Sequence, residues 1–138
     1  MSKKVERLKK KDIDSYSKFI YEIFGYEINK EAIEKAMQDY TILVIKVDNE
    51  VVASATLEER FEHVKNKKYY YVTYLGVLKE YRREGYASKI FESIEELAKK
   101  NDISYLELTS GNQRRSAHFF YKSKEFKIKD TTVFVKIY

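Results

Sequence analysis

An α/β domain is what the sequence predicts, on three observations. Apolar residues recur at helical spacing in two stretches, at Ile13, Tyr16, Ile20, Ile23 and Phe24 and again at Ile90, Phe91, Ile94, Leu97 and Ala98. Between and after them lie β-branched or alternating runs, Thr41 to Val47, Val51 to Glu59, Lys68 to Val77 and Tyr105 to Thr109. No proline and no Gly/Ser-rich or low-complexity segment marks a linker. The 138 residues therefore read as one domain, 1–138, long enough to bury a core without a metal or a disulfide.

Each element has a local cause. Val5 to Leu8 is a short first strand, and Asp12 is the expected N-cap of the first helix. A second helix follows Asn29, with Ile33, Ala36 and Met37 turned inward. Asp48-Asn49-Glu50 folds the run Thr41 to Val47 back onto Val51 to Glu59, a hairpin. A charged loop around His63 to Lys67 leads into a strand rich in tyrosine, Tyr69, Tyr70, Tyr71 and Tyr74, with Gly76 near its end as the expected bulge. Alternation sends these tyrosines to both faces, some to fill the core and some to line a pocket. The helix from Ala87 ends at Lys99-Lys100-Asn101, where cations oppose the helix dipole. A short helix over Ser116 to Lys122 and one or two closing strands over Phe126 to Ile137 complete the order.

Composition excludes several functions. With no cysteine there is no thiol nucleophile, cysteine-ligated zinc or disulfide framework, and with two histidines no metal site is expected. No apolar run approaches a membrane span, so the protein is expected to be cytoplasmic with no membrane partner. A net charge of +5 would suit nucleic acid, yet 27 basic residues are interleaved with 22 acidic ones, which argues against a nucleic-acid partner.

The chemistry concentrates at Val77-Leu78-Lys79-Glu80-Tyr81-Arg82-Arg83-Glu84-Gly85-Tyr86-Ala87, where an apolar strand passes through a basic turn with one glycine into a helix. A helix start offers unpaired N–H groups and a positive dipole end, and glycine lets the backbone approach a ligand that a Cβ would hold off. Phosphate suits such a turn. A solvated turn with ordinary surface arginines has the same short pattern; the strand before and the amphipathic helix after favour the anion site.

Arg82-x-x-Gly85-x-Ala87 resembles the Q/R-x-x-G-x-G/A signature of the GCN5-related N-acetyltransferases, the GNAT family. The segment Leu108 to Tyr121, which ends in Phe119-Phe120-Tyr121, is similar to that family's downstream strand, loop and short helix, and the likeness covers essentially the whole chain. The resemblance implies a mixed, mostly antiparallel twisted sheet splayed between strands 4 and 5 and flanked by about four helices, with acetyl-CoA as co-substrate and no metal. It implies that Arg82, Arg83, Glu84, Gly85, Tyr86, Ala87 and Ser88 bind the pyrophosphate, the backbone amides from Glu84 to Ser88 cradling it. Leu75, Val77 and Leu78 would align the pantetheine arm.

Asn112, in the loop before the short helix, is suited either to bond that arm or to cap the helix. Tyr121 matches the family's general acid; a phenol is protonated at neutral pH and can give its proton to the departing thiolate. The family usually carries glycine where this chain has Glu125, so a left-handed backbone there would be strained. Glu58, Glu59 and Glu107 are candidate bases, none of them assigned, and His118 is expected to be structural.

The implied activity is direct acetyl transfer to a primary amine, on a small molecule or a protein, by a monomer or homodimer. Two alternatives stand beside it: an inactive acyl-CoA-binding or partner-binding module, and an acetyltransferase acting on an aminoacyl group carried by RNA.

Overall fold

The computed structural model describes residues 3–138, which fall into two compact units, one ending at Leu108 and the other spanning Thr109–Tyr138. The first unit holds β1 (Val5–Arg7), α1 (Ile13–Phe24), α2 (Lys30–Asp39), β2 (Thr41–Val47), β3 (Glu50–Glu62), β4 (Lys67–Val77), α3 (Tyr86–Lys100) and β5 (Tyr105–Leu108). Its sheet runs in the order β1-β2-β3-β4-β5, antiparallel throughout except for the parallel pair β4–β5. The sheet is mixed and open, as expected.

Turn chemistry sets the register. Asp48 and Asn49 both adopt positive φ, 51° and 65°, the requirement of a two-residue type I′ hairpin, and Val47 then pairs with Glu50. β2 is apolar on both faces because helices cover both. Ile42 and Val44 join Ile13, Tyr16, Phe19, Ile20 and Ile33 of α1 and α2 in one cluster. Leu43 and Ile45, also buried, alternate to the opposite face. α3 packs on β1 to β4 through buried Ile90, Phe91 and Ile94.

The helix ends agree with the sequence in one case and depart from it in another. Asn29 caps α2, its Oδ1 accepting from Ala32 N at 2.8 Å. Asp12 stands at the N-cap of α1 but makes no capping bond. Its carboxylate, in a residue only 5% exposed, instead accepts from Lys46 Nζ at 3.2 Å, and the same ammonium lies 3.1 Å from Glu6. A buried carboxylate gains more from a cation than from a backbone N–H, so the ion pair displaces the cap. The hydrogen bond from Lys46 holds the Glu6 carboxyl below its usual range.

In the second unit α4 (Arg115–Ser123) is the single helix, and residues 124–138 carry neither helix nor strand. The closing strands expected over Phe126 to Ile137 are therefore not formed, and Phe134 and Ile137 are each 90% exposed. β-propensity describes fit to a pleated, half-buried surface; without ladder bonds it does not make a strand.

Candidate active site

Ten of the predicted residues lie on one continuous path from β4 through the turn to α3. Leu75 is buried, Val77 and Leu78 are half-buried, and Leu78 N donates to Val52 O at 2.8 Å, which ties the end of β4 to β3. A 3-10 turn over Lys79–Tyr81 follows, and then Arg82, Arg83 and Glu84 lead to Gly85 at the N-cap of α3. Arg82 Nε donates to Val77 O at 3.0 Å, so its guanidinium folds back over the strand end.

Gly85 has φ +87°, and a Cβ built on it meets nothing within 4 Å. Glycine there satisfies the left-handed backbone and faces open space, which is the shape of a cradle for a ligand that must reach the backbone. Arg83 is also left-handed, at φ +65°. No acidic residue occupies the first turn of α3 and no side chain caps it, so the N–H groups of Tyr86, Ala87 and Ser88 keep their donor capacity. The Tyr86 side chain serves packing: it is buried, edge-on to Tyr81 with centroids 5.7 Å apart and with Lys3 Nζ 5.1 Å from its ring centre. These features fit a diphosphate: positive dipole end, two arginines, open backbone.

The bulge in β4 lies one step earlier than expected. Ser54 pairs with Gly76 and Thr56 with Thr73, so Tyr74 and Leu75 oppose the single residue Ala55. Tyr74 carries the left-handed backbone, φ +49°. Gly76 is instead at a close approach: an added Cβ would lie 3.2 Å from Ile23 Cδ1 and 3.3 Å from Phe24 Cζ, where α1 rests on the strand. Sequence reading missed Tyr74, because a tyrosine gives no signal of positive φ. β5 pairs with β4 only over Tyr69–Val72, and β4 runs on past that pairing to Val77. The remaining tyrosines obey the expected alternation. Tyr70 is buried and takes a 2.8 Å bond from Asn101 Nδ2, while half-buried Tyr69 stacks on Tyr105 at 4.6 Å and Tyr71 lies under Arg60 at 4.0 Å. Glu58 accepts from Arg60 Nε at 2.6 Å, an engagement at odds with service as a free base.

Asn112 and Tyr121 belong to the second unit. Arg114 is the N-cap of α4 with no side-chain bond, so Asn112 does not cap the helix. His118 Nε2 donates to Gly111 O at 2.9 Å, which gives this histidine the structural role expected of it. Tyr121 is held by a Schellman ending. Phe126 N donates to Tyr121 O at 3.1 Å and Glu125 N to Lys122 O at 3.1 Å, with Glu125 left-handed at φ +69°. The hydrophobic contact that accompanies this motif is the Tyr121–Phe126 ring pair, centroids 5.7 Å apart. Burial raises the Tyr121 pKa above its ordinary 10.0, against an opposing pull from Arg114. The phenol is thus a proton donor throughout the neutral range.

A family model described as the acetyltransferase (GNAT) family matches residues 7–126. Among solved structures, a putative acetyltransferase from Agrobacterium tumefaciens str. C58 superposes with TM-score 0.86 at 17% identity, over 97% of this chain and 99% of that one. An aminoglycoside acetyltransferase from an uncultured soil metagenomic sample gives 0.83 at 17% identity, over 98% and 95%. A ribosomal-protein-alanine N-acetyltransferase from Brucella melitensis biovar Abortus 2308 gives 0.81 at 15% identity, over 98% and 99%. No curated protein sequence matches the chain. At these identities the structural neighbours speak for the fold, while the match across 7–126 speaks for descent: the chain belongs to the GNAT acetyltransferase family.

Proposed function

We propose that this protein transfers the acetyl group of acetyl-CoA to a primary amine by direct attack within a ternary complex. The observation that carries the reading is the open, left-handed Gly85 at the start of α3, flanked by Arg82 and Arg83. Acetyl-CoA supplies an activated thioester; the residues bind, align and move one proton. Arg82, Arg83 and the amides from Glu84 to Ser88 take the pyrophosphate. Backbone groups of Leu75, Val77 and Leu78 align the pantetheine arm, and a backbone N–H at the two-against-one bulge beside Leu75 polarises the thioester carbonyl, a role supported by the break in register there.

Tyr121 is assigned as proton donor on its place after Phe120 and on its raised pKa. As the carbon–nitrogen bond forms and the carbon–sulfur bond breaks, the phenol proton goes to sulfur and the amine's extra proton to water. Asn112, released from capping, is proposed to bond the pantetheine arm through its amide.

Calorimetric titration of coenzyme A, followed by thiol release from acetyl-CoA in the presence of an amine panel, tests both halves. Saturable binding and amine-dependent thiol release are expected. Absence of coenzyme binding by folded protein would remove the reading, and binding without thiol release from any amine would reduce it to an acyl-CoA-binding module.

A further inference from the structure

Tyr74 is where the bulge of β4 puts a bulky ring, not a glycine, into the left-handed region. The other described non-glycine residues with positive φ lie in turns, whereas Tyr74, at φ +49°, sits inside a strand. Bulky L-residues avoid this region because Cβ approaches the carbonyl oxygen, and such strain persists only where the surroundings over-determine it. Here two features do so. Phe24, at the end of α1, meets the Tyr74 ring edge-on with centroids 5.1 Å apart. Gly76 eases that end of α1 against the strand, since a Cβ there would press on Ile23 and Phe24 at 3.2 to 3.3 Å. Despite this bracing Tyr74 stays 48% exposed, so the conformation does not serve burial. It turns a large ring outward, one residue before Leu75.

We propose that Tyr74 sets acceptor preference, its braced ring forming the wall against which the carbon skeleton of the amine lies. The inference rests on the acetyltransferase reading, because it is the bulge's place beside Leu75 that brings the wall to the thioester. A wall of ring and aliphatic carbon from Tyr74, Phe24 and Ile23 favours a monoamine with a flat apolar group over a polycationic amine, whose further ammonium groups would lose hydration against it. Tyr74 is a positioning residue and takes no part in proton transfer.

The experiment compares 2-phenylethylamine with spermidine in the wild type, Tyr74→Gly and Tyr74→Phe. Glycine suits the left-handed backbone, which offsets the lost ring contact with Phe24, so that variant folds, as circular dichroism checks. The wild type prefers 2-phenylethylamine. In Tyr74→Gly the ratio of the two kcat/KM values falls about tenfold, the size of effect expected for loss of one apolar contact. The fall comes through the KM of the aromatic amine, with the KM of acetyl-CoA unchanged, and Tyr74→Phe keeps the wild-type ratio.

An unchanged ratio in Tyr74→Gly, a wild-type preference for spermidine, or acetylation of neither amine overturns the proposal. Coenzyme A calorimetry on the same preparations judges the parent reading separately. Coenzyme bound with the ratio unmoved sinks Tyr74 alone, and no coenzyme bound sinks both.

Discussion

Gly85 and Glu125 occupy the same left-handed region of backbone space, φ +87° and +69°, in two parts of the chain with different duties. At the start of α3 the position faces open space and is glycine; at the end of α4 it closes a Schellman motif and is glutamate. Backbone strain alone would favour glycine at both. What separates them is what lies outside. On the proposed reading another molecule reaches the backbone at Gly85 and a Cβ would be in its way; where the backbone only turns, two hydrogen bonds and a ring contact hold a glutamate in place at a cost of about 1 kcal/mol.

The largest effect that would sharpen this contrast is catalytic. Tyr121→Phe should lower kcat about a hundredfold, in keeping with loss of a general acid, and leave the KM of acetyl-CoA unchanged. Unchanged kcat across the pH range would remove Tyr121 from the mechanism and leave α4 a packing element. Gly85→Val comes next. Coenzyme A affinity by calorimetry should fall about tenfold, an energy of about 1.4 kcal/mol, while circular dichroism shows the fold retained. Equal affinity in the variant would break the comparison, because Gly85 would then differ from Glu125 only by accident.

Glu125→Gly should act in the opposite sense. It relieves strain at the end of α4 and should raise unfolding stability by about 1 kcal/mol, read from the urea midpoint, with no loss of coenzyme binding.

The smallest effect is in pH. Burial raises the pKa of both Tyr16 and Tyr121 above 10.0, so each favours the folded state while neutral. That contribution is complete below the unfolded value and is lost as pH rises through the folded values. The urea midpoint should hold to about pH 10 and then decline, less steeply in Tyr121→Phe. A decline of the same steepness in that variant would place the alkaline loss at Tyr16 or elsewhere.

The path from β4 to α3 was legible because each part has its own signal. β-branched and aromatic residues mark the strand, a lone glycine marks the left-handed cap, and apolar spacing with terminal lysines marks the helix. The misreadings come from partners that a linear sequence does not display. Gly76 has the signature of a bulge, but what it meets is the close approach of Ile23 and Phe24, more than fifty positions away in the chain. Asp12 has the chemistry of a cap, but Lys46 claims its carboxylate from the middle of β2. Residues 126–137 have strand composition and no strand, because pairing depends on a ladder partner that composition does not identify. At Glu125 the departure from glycine foretold a strained turn, and the left-handed backbone is there.

The bond from Arg82 Nε to Val77 O carries a consequence for substitution. One of five donors pins the guanidinium plane to the end of a strand, and the others are thereby aimed before any partner arrives, so little rotational freedom remains to be lost on contact. Lysine has a single ammonium centre on a flexible stem and cannot anchor at one edge while presenting another. On the proposed reading Arg82→Lys keeps the charge but forfeits the aim, and it should slow neither encounter nor folding while shortening the time coenzyme A stays bound, read as a faster dissociation rate.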